Sequence, residues 1–337
     1  MAGSLEGTME QRRLGDSELV CSALGFGTWE MGTTQYGPID VKEASIAVSA
    51  AIDRGITLFD TAEAYGPFHA EEILGKTLGE RRKDIVLVTK VGFGYDENGN
   101  IISRDSSGAS VLAHTEGCLK RLGTDWIDLL LIHWPDKKTP FEETVGALEQ
   151  LKTTGKVRYY GVSNFTVEMM QECERHGHIA ANQVGYHLFD RRMEAQVLPY
   201  CLANGIGFMA YGTLGYGLLT GAFTPEKTFV DWDWRHGGTA FGLPLFQRED
   251  FLKELRAVDR LKGLAARYGR SVAQLAIAWV LGRSEVSVAL VGVRNKSELA
   301  ENVQAVGWKL TVEDRAEIDR ILVEENVPTY IDAPQDE

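Results

Sequence analysis

The sequence predicts an α/β fold in a single domain, a (β/α)8 TIM barrel with a long loop insertion after its seventh strand. Eight short apolar segments alternate with segments of helical periodicity, which is the pattern of a parallel sheet with helical crossovers. Several apolar segments, such as 85–88 and 129–132, are apolar on both faces, as a sheet covered by helices requires. Eight units in 337 residues favour a closed barrel over the alternative, an open doubly wound sheet.

The eight predicted strands are the short apolar runs. In chain order they cover residues 19–27, 56–60, 85–90, 126–133, 157–162, 180–184, 206–211 and 286–291. The insertion after the seventh strand covers 212–248.

The predicted helices have apolar residues at helical spacing, as along 41–53. Glycine follows several of them, as at Gly55 and Gly123, where a helix C-terminus favours this residue. The other predicted helices cover 71–78, 110–122, 141–152, 167–175, 193–203, 250–268, 272–281 and 296–305, and an additional terminal helix covers 312–323.

The chain divides into an N-terminal segment, 1–12, the barrel, 13–325, and a C-terminal tail, 326–337. The first eight residues are rich in glycine and serine and precede Met9. We interpret Met9 as the native start and part of the preceding segment as a cloning scar.

Composition excludes several classes of protein. The formal net charge of −13 disfavours a surface for nucleic acid or for an anionic membrane. The chain has no apolar run of about 18 residues and no secretory signal, so no membrane span is predicted. The four cysteines lie far apart without a C-x-x-C pair, which indicates free thiols in a reducing compartment. We therefore expect a cytoplasmic protein.

Three successive strands end on ionisable residues. Asp60 ends the second strand, Lys90 the third and His133 the fourth, while Tyr65 lies in the loop after the second. Active sites of such barrels lie at the C-terminal ends of the strands, and neighbouring strands are about 5 Å apart. We therefore expect the four side chains to converge on one site instead of being ordinary polar loop residues.

The residue types suggest proton chemistry. A buried lysine favours a neighbouring phenolate, so Lys90 is expected to lower the pKa of Tyr65, with Asp60 holding Lys90 in place. His133 is expected to orient or polarise a carbonyl oxygen. A tyrosine acid suits protonation of the oxyanion that hydride addition produces, and the hydride has to come from a cofactor, because no side chain supplies it.

Other motifs match only in their letters. Residues 205–210 fit the dinucleotide-binding pattern G-x-G-x-x-A, but the glycines precede a strand instead of opening a helix. Residues 74–77 resemble the end of a phosphate loop whose first glycine is missing. Cys173, His176 and His178 are of residue types that can bind metal ions. We expect them instead to be solvated residues near a helix end, away from the site. No metal site is predicted.

Short motifs recur along nearly the whole sequence. In chain order they are Gly25-Phe26-Gly27-Thr28, Phe59-Asp60-Thr61-Ala62 with Tyr65-Gly66, Val88-Thr89-Lys90, Leu131-Ile132-His133-Trp134-Pro135, Gly155-Lys156-Val157-Arg158, Gly161-Val162-Ser163-Asn164-Phe165, Asn182-Gln183-Val184 and Gly292-Val293-Arg294. In these residues and in their order the sequence resembles the aldo-keto reductases. Within that family it most resembles the bacterial and plant enzymes similar to myo-inositol dehydrogenase of the aldo-keto reductase type.

The resemblance implies a catalytic tetrad, Asp60, Tyr65, Lys90 and His133, with Tyr65 as the general acid of reduction. It also implies a nicotinamide cofactor. Its carboxamide would contact Ser163, Asn164 and Gln183, its ring Tyr211, its pyrophosphate Gly212, Leu214 and Tyr216, and its adenosine end Gly292, Val293, Arg294, Glu298, Glu301 and Asn302, with Thr28 and Trp29 as further cofactor contacts.

Two of these residues bear on the choice of cofactor. Arg294 suits the 2′-phosphate of NADP(H). The family more often carries Arg or Gln at the position of Glu298, whose carboxylate would repel this phosphate and could accept a hydroxyl of NAD(H). We favour NADP(H), with NAD(H) as the alternative.

Aromatic residues are expected to shape the pocket. Trp29 and Trp134 follow the ends of the first and fourth strands and are expected to wall the substrate site. The insertion holds Trp232 and Trp234 together with several glycines, and aromatic residues are unusual in a disordered loop. We expect it to fold over the cofactor as a lid with glycine hinges.

The predicted function is NADP(H)-dependent reduction of an aldehyde or ketone, or the reverse oxidation, on a small-molecule substrate. The alternative is a cofactor-binding regulatory or structural subunit that keeps the fold, as the related potassium-channel β subunits do. A barrel hydrolase is disfavoured, because the motifs include neither a metal cluster nor a suitable pair of carboxylates. The sequence does not predict the oligomeric state.

Overall fold

The barrel is closed by eight parallel strands. The computed structural model describes residues 9–32 and 35–331. Each strand pairs with the next along the chain, and the last pairs with the first through Gly292 beside Gly27. The predicted fold class is confirmed. The strands are β1 (Leu24–Gly27), β2 (Leu58–Asp60), β3 (Val86–Val91), β4 (Ile127–Ile132), β5 (Val157–Ser163), β6 (Ala181–Gly185), β7 (Gly207–Tyr211) and β8 (Val286–Gly292).

Helices surround this barrel, because strand residues that face outward are as apolar as those that face inward. In β4, Leu129 and Leu131 pack in the barrel interior with residues such as Val88, whereas Leu130 and Ile132 pack in the outer layer. The helices span Trp29–Gly32, Val41–Asp53, His69–Leu78, Gly108–Leu122, Phe141–Thr153, Val167–Glu174, Val197–Ala203, Arg248–Ala266, Val272–Leu281, Lys296–Asn302 and Val312–Glu324. Short 3-10 helices span Gly79–Asp84, Arg192–Glu194, Gly215–Thr220, Trp234–Gly237 and Val303–Ala305.

The predicted first strand is in fact two strands. Val20–Ser22 pairs with Gln11–Arg13 in an antiparallel hairpin, and only Leu24–Gly27 enters the barrel. Leu14 and Leu19, in the hairpin connection, are buried with the inward-facing strand residues. The hairpin therefore closes the end of the barrel opposite the C-terminal ends of the strands.

Other differences concern short elements. The predicted helix at 193–203 is a 3-10 turn, Arg192–Glu194, followed by Val197–Ala203. An antiparallel pair after β3, Phe93–Tyr95 with Ile101–Arg104, is absent from the sequence prediction, because three or four residues carry too little periodicity. The segment 1–8, where the cloning scar is predicted, and residues 332–337 of the predicted tail lie outside the described residues. None of the described helices combines the length and the apolar character needed to cross a bilayer.

All four cysteines are free and buried. Burial raises the pKa of the thiols of Cys21, Cys173 and Cys201 to about 12, and it raises the pKa of Cys118 as well. These thiols are part of the packed core and stay protonated.

Candidate active site

The ends of β2 and β3 bring Asp60, Tyr65 and Lys90 together. Lys90 Nζ donates hydrogen bonds to Asp60 Oδ1 at 2.7 Å, to Tyr65 Oη at 3.0 Å and to the backbone oxygen of Thr61 at 2.9 Å. The Lys90 side chain is fully buried. These three bonds match the three protons of an ammonium group. Lys90 is therefore fixed with its nitrogen next to the Tyr65 hydroxyl.

Asp60 and Lys90 form a buried ion pair that depends on both partners. Burial raises the pKa of Asp60 and lowers that of Lys90, while the ion pair opposes both shifts. Gln183 Nε2 donates to the second carboxylate oxygen of Asp60 at 2.7 Å, so both oxygens have a partner. This arrangement holds the two charges in a region that excludes water.

Tyr65 differs from the prediction in its ionisation. Burial raises the pKa of its phenol well above 10, and the Asp60 carboxylate adds to the shift. The expected lowering of the pKa by Lys90 is wrong, because burial of the phenol, together with the Asp60 carboxylate, outweighs the positive charge of Lys90. The phenol therefore keeps its proton, which is the form that can protonate an oxyanion.

His133 follows β4 and lies beside Tyr65, with the two ring centroids 5.7 Å apart. Burial and the nearby Lys90 charge lower the pKa of His133 well below 6.5, so its imidazole is neutral. Its Nδ1 is buried and has no hydrogen-bond partner in the described part of the chain. A neutral imidazole carries one N–H, which can donate to an oxygen atom placed near Tyr65.

A cavity of about 1100 Å³ opens over these residues. Lys90 and Val293 are buried behind its wall, and the side chain of Val293 packs in the core. The other predicted site residues line the cavity, namely Thr28, Trp29, Asp60, Tyr65, His133, Trp134, Ser163, Asn164, Gln183, Tyr211, Gly212, Leu214, Tyr216, Gly292, Arg294, Glu298, Glu301 and Asn302.

The ends of β5, β6 and β7 present a connected set of polar side chains. Asn164 Nδ2 donates to the backbone oxygen of His133 at 3.1 Å, and Asn164 Oδ1 accepts from Tyr211 Oη at 2.8 Å. Ser163 Oγ donates to the backbone oxygen of Gln183 at 2.8 Å. Asn164 also has a φ of 65°, which is uncommon outside glycine. Its amide group is therefore held in one orientation at the rim of the cavity.

Arg294 and Glu298, the two residues predicted to decide the cofactor, bind each other. Arg294 Nη2 lies 2.7 Å from Glu298 Oε1, and the backbone N–H of Arg294 donates to Glu298 Oε2 at 2.9 Å. The arginine can contact a phosphate fully only if it shares or loses this partner.

The insertion covers the cavity with aromatic rings. The ring of Phe241 lies 6.2 Å from Trp134, 6.3 Å from Trp29 and 5.2 Å from Tyr216. Trp234 lies 5.5 Å from Trp29, between centroids. The segment is therefore packed against both Trp29 and Trp134, the residues predicted to wall the substrate site.

An ion pair anchors this segment from within. Arg235 pairs with Asp233 at 2.6 Å and donates to the backbone oxygen of Tyr216 at 3.0 Å. Trp232, by contrast, is 55% exposed at the edge of the cavity.

Several residues that line the cavity are absent from the sequence prediction. Glu30, Tyr36, Phe93, Asp233, Arg235 and Phe241 are among them. Glu30 directly follows Trp29 at a strand end, and this position is the only signal that could have indicated it. The positions of Asp233, Arg235 and Phe241 depend on the path of the insertion, which the periodicity of the sequence does not reveal.

The residues with metal-ligand types lie apart from this cavity. Cys173 is buried, so its predicted exposure to solvent is wrong. His178 contacts Asp16 at 3.0 Å and Glu174 at 2.9 Å. The described residues contain no cluster of His, Cys, Asp and Glu that could hold a metal ion.

Comparison with known proteins agrees with this geometry. The aldo/keto reductase family matches residues 23–323. The chain is 40% identical to the aldo-keto reductase YhdN of Bacillus subtilis (strain 168), over 93% of this chain and 94% of the relative. The glycerol dehydrogenase AKR11B4 from Gluconobacter oxydans has a similar structure, with a TM-score of 0.86 and 36% identity over 97% of this chain and 99% of that chain. An aldo/keto reductase from Klebsiella pneumoniae in complex with NADP and acetate has a TM-score of 0.72 and 31% identity over 98% of both chains. The chain therefore belongs to the aldo-keto reductase family.

Proposed function

We propose that the protein is an NADP(H)-dependent oxidoreductase that reduces an aldehyde or a ketone to an alcohol, or catalyses the reverse oxidation. The observation that carries this proposal is the buried Lys90 that bridges Asp60 and the Tyr65 hydroxyl, under a cavity that His133 also faces. The four free, buried cysteines support the expected reducing, cytoplasmic environment.

The side chains supply the proton and the orientation of the substrate. A nicotinamide cofactor supplies the hydride when it is bound. Tyr65 donates its proton to the carbonyl oxygen, and the Lys90 ammonium, 3.0 Å from the phenol oxygen, stabilises the phenolate that remains. Asp60 holds Lys90 in place, and His133 donates a hydrogen bond to the substrate oxygen. In the oxidation the same groups act in reverse, and the Tyr65 phenolate accepts the proton of the alcohol.

The residues of the cavity fit a dinucleotide. Its volume of about 1100 Å³ lies just above the range of about 300–1,000 Å³ that is usual for ligand pockets. Ser163, Asn164 and Gln183 would hold the carboxamide, and Tyr211 would stack on the nicotinamide ring. Arg294 would hold the 2′-phosphate, and the NADP complex of the relative from Klebsiella pneumoniae supports this choice of cofactor.

Glu298→Gln is expected to shift the ratio of the KM values for NADH and NADPH about tenfold in favour of NADPH. The substitution removes a repulsive carboxylate and releases Arg294 from its 2.7 Å ion pair. Steady-state rates with both cofactors measure the ratio. Glu313→Gln, in the first turn of the terminal helix Val312–Glu324, is the matched control and leaves the ratio unchanged. An unchanged ratio in Glu298→Gln argues against its role, and a clear preference of the wild type for NADH argues against NADP(H).

We also propose that the insertion is the lid of the cofactor site. Phe241→Ala is then expected to raise the Kd for NADPH about tenfold, because it deletes ring contacts with Tyr211 and Tyr216 on the cofactor side of the cavity. Quenching of tryptophan fluorescence measures this constant. Glu226→Ala, an exposed change in the same insertion, serves as the control. Equal affinity in the wild type and in Phe241→Ala would refute the lid.

A further inference from the structure

Glu30 occupies an unusual position in the cofactor site. It lies in the short helix Trp29–Gly32 after β1 and lines the cavity. Its carboxylate crowds the backbone of Gly292, where an added Cβ would lie 2.0 Å from Glu30 Oε1. Gly292 is a predicted contact of the adenosine end. Glu30 therefore stands against the wall along which the adenosine end of a dinucleotide, with the phosphate that it carries, is expected to lie.

The charged groups that face Glu30 come from two other parts of the chain. They are Arg294 and Glu298, at and after the end of β8, and Arg235 in the insertion. Both arginines bind other carboxylates, Arg294 that of Glu298 at 2.7 Å and Arg235 that of Asp233 at 2.6 Å. Glu30 therefore faces a balanced set of charges and has no ion pair of its own within 9–32 and 35–331.

The remaining titratable groups near Glu30 are phenols. Tyr36 and Tyr65 both lie within its electrostatic range, and burial raises the pKa of each well above 10, so they stay neutral. Burial also raises the pKa of Glu30, to about 7. Among these neighbours, Glu30 is the group that changes its charge near neutral pH.

We propose that Glu30 binds the dinucleotide in its protonated form, so that cofactor binding takes up a proton at neutral and alkaline pH. This inference rests on the proposed function, because it assumes a dinucleotide in the cavity. An ionised carboxylate against Gly292 repels the cofactor phosphates. A protonated carboxyl group instead donates a hydrogen bond to a phosphate or ribose oxygen.

The direction of the pH dependence follows from this linkage. Below about pH 7 Glu30 is already protonated in the free protein, so the affinity is full and little proton is taken up. Above this pH the free protein has to gain the proton on binding, and the Kd rises by up to about tenfold per pH unit until the pKa of the complex is reached.

Calorimetric titration of the full chain with NADPH and with NADH tests the inference at about pH 8, in Tris and in PIPES, whose ionisation enthalpies differ. The expected result is uptake of about one proton per bound cofactor. Glu30→Gln is expected to lose this uptake, to bind more tightly than the wild type at about pH 8, and to have a Kd that does not change between about pH 7 and 9. The exposed acid Glu43, on the helix Val41–Asp53, provides the control Glu43→Gln, which keeps the uptake.

Comparing NADPH with NADH, and the wild type with Glu30→Gln, identifies the source of any proton that is taken up. The 2′-phosphate of NADPH itself titrates near about pH 6, and NADH, which lacks this group, removes that contribution. Binding to the wild type without proton uptake, or uptake that persists in Glu30→Gln, would overturn the inference and leave the proposed function intact. Failure of both cofactors to bind the wild type would overturn the proposed function. The wild-type measurement decides whether a proton is taken up even if the variant does not fold.

Discussion

Tyr65→Phe is expected to lower kcat for carbonyl reduction by about 10²–10⁴-fold and to leave the affinity for the cofactor nearly unchanged. The variant loses the hydroxyl group that lies 3.0 Å from Lys90 Nζ. It keeps the ring, which lies beside Trp29 and His133. Oxidation of NADPH in the presence of a panel of aldehydes and ketones measures kcat, and fluorescence quenching measures cofactor binding.

Tyr159→Phe provides the matched control for this change. The Tyr159 hydroxyl accepts a hydrogen bond from the backbone N–H of Glu18, in the N-terminal hairpin at the opposite end of the barrel. This control is expected to retain full turnover. Undiminished turnover in Tyr65→Phe would remove Tyr65 from the role of proton donor. A wild type that binds NADPH but turns over no carbonyl would favour the regulatory or structural subunit.

Lys90→Met is expected to abolish reduction and to lower the free energy of unfolding by about 3–5 kcal/mol. The lysine is fully buried, and its removal leaves the 3% exposed Asp60 without its ion-pair partner. Burial then raises the pKa of Asp60 further. The loss of stability is therefore expected at neutral pH and shrinks as the pH falls and Asp60 takes up a proton.

The double variant Asp60→Asn, Lys90→Met separates stability from catalysis. It removes both charges, so most of the lost stability is expected to return, while activity stays absent because the ammonium group beside Tyr65 is missing. Urea denaturation of the wild type, the single variant and the double variant provides the three free energies. A single variant as stable as the wild type, or a double variant as unstable as the single one, would contradict this account of the pair.

The convergence of Asp60, Lys90 and His133 could be predicted because each ends a strand, and the geometry of a parallel barrel places such ends side by side. The ionisation of Tyr65 could not be predicted, because it depends on how deeply the phenol is buried and on how completely Asp60 offsets Lys90. The positions of Glu30 and Phe241 depend on contacts between residues far apart in the chain, which local periodicity does not encode.

The first strand shows a second limit of the sequence. Residues 19–27 form a nearly continuous apolar run, and this run carries no signal of the point at which the chain leaves one sheet and enters another. In the structure this change occurs at Ala23, whose backbone N–H donates to the backbone oxygen of Glu10, next to the hairpin strand Gln11–Arg13. The boundary between the hairpin strand and the first barrel strand therefore depends on backbone pairing with distant residues, which the pattern of apolar residues does not indicate.

The buried cysteines have a consequence for an enzyme that handles aldehydes. Aldehydes are electrophiles, and the thiolate is the form of cysteine that reacts with electrophiles. Each of the four thiols is enclosed in the core with a raised pKa. The folded chain therefore offers no reactive sulfur to its own substrates, and it can gather reactive carbonyls in its cavity without being inactivated through its cysteines.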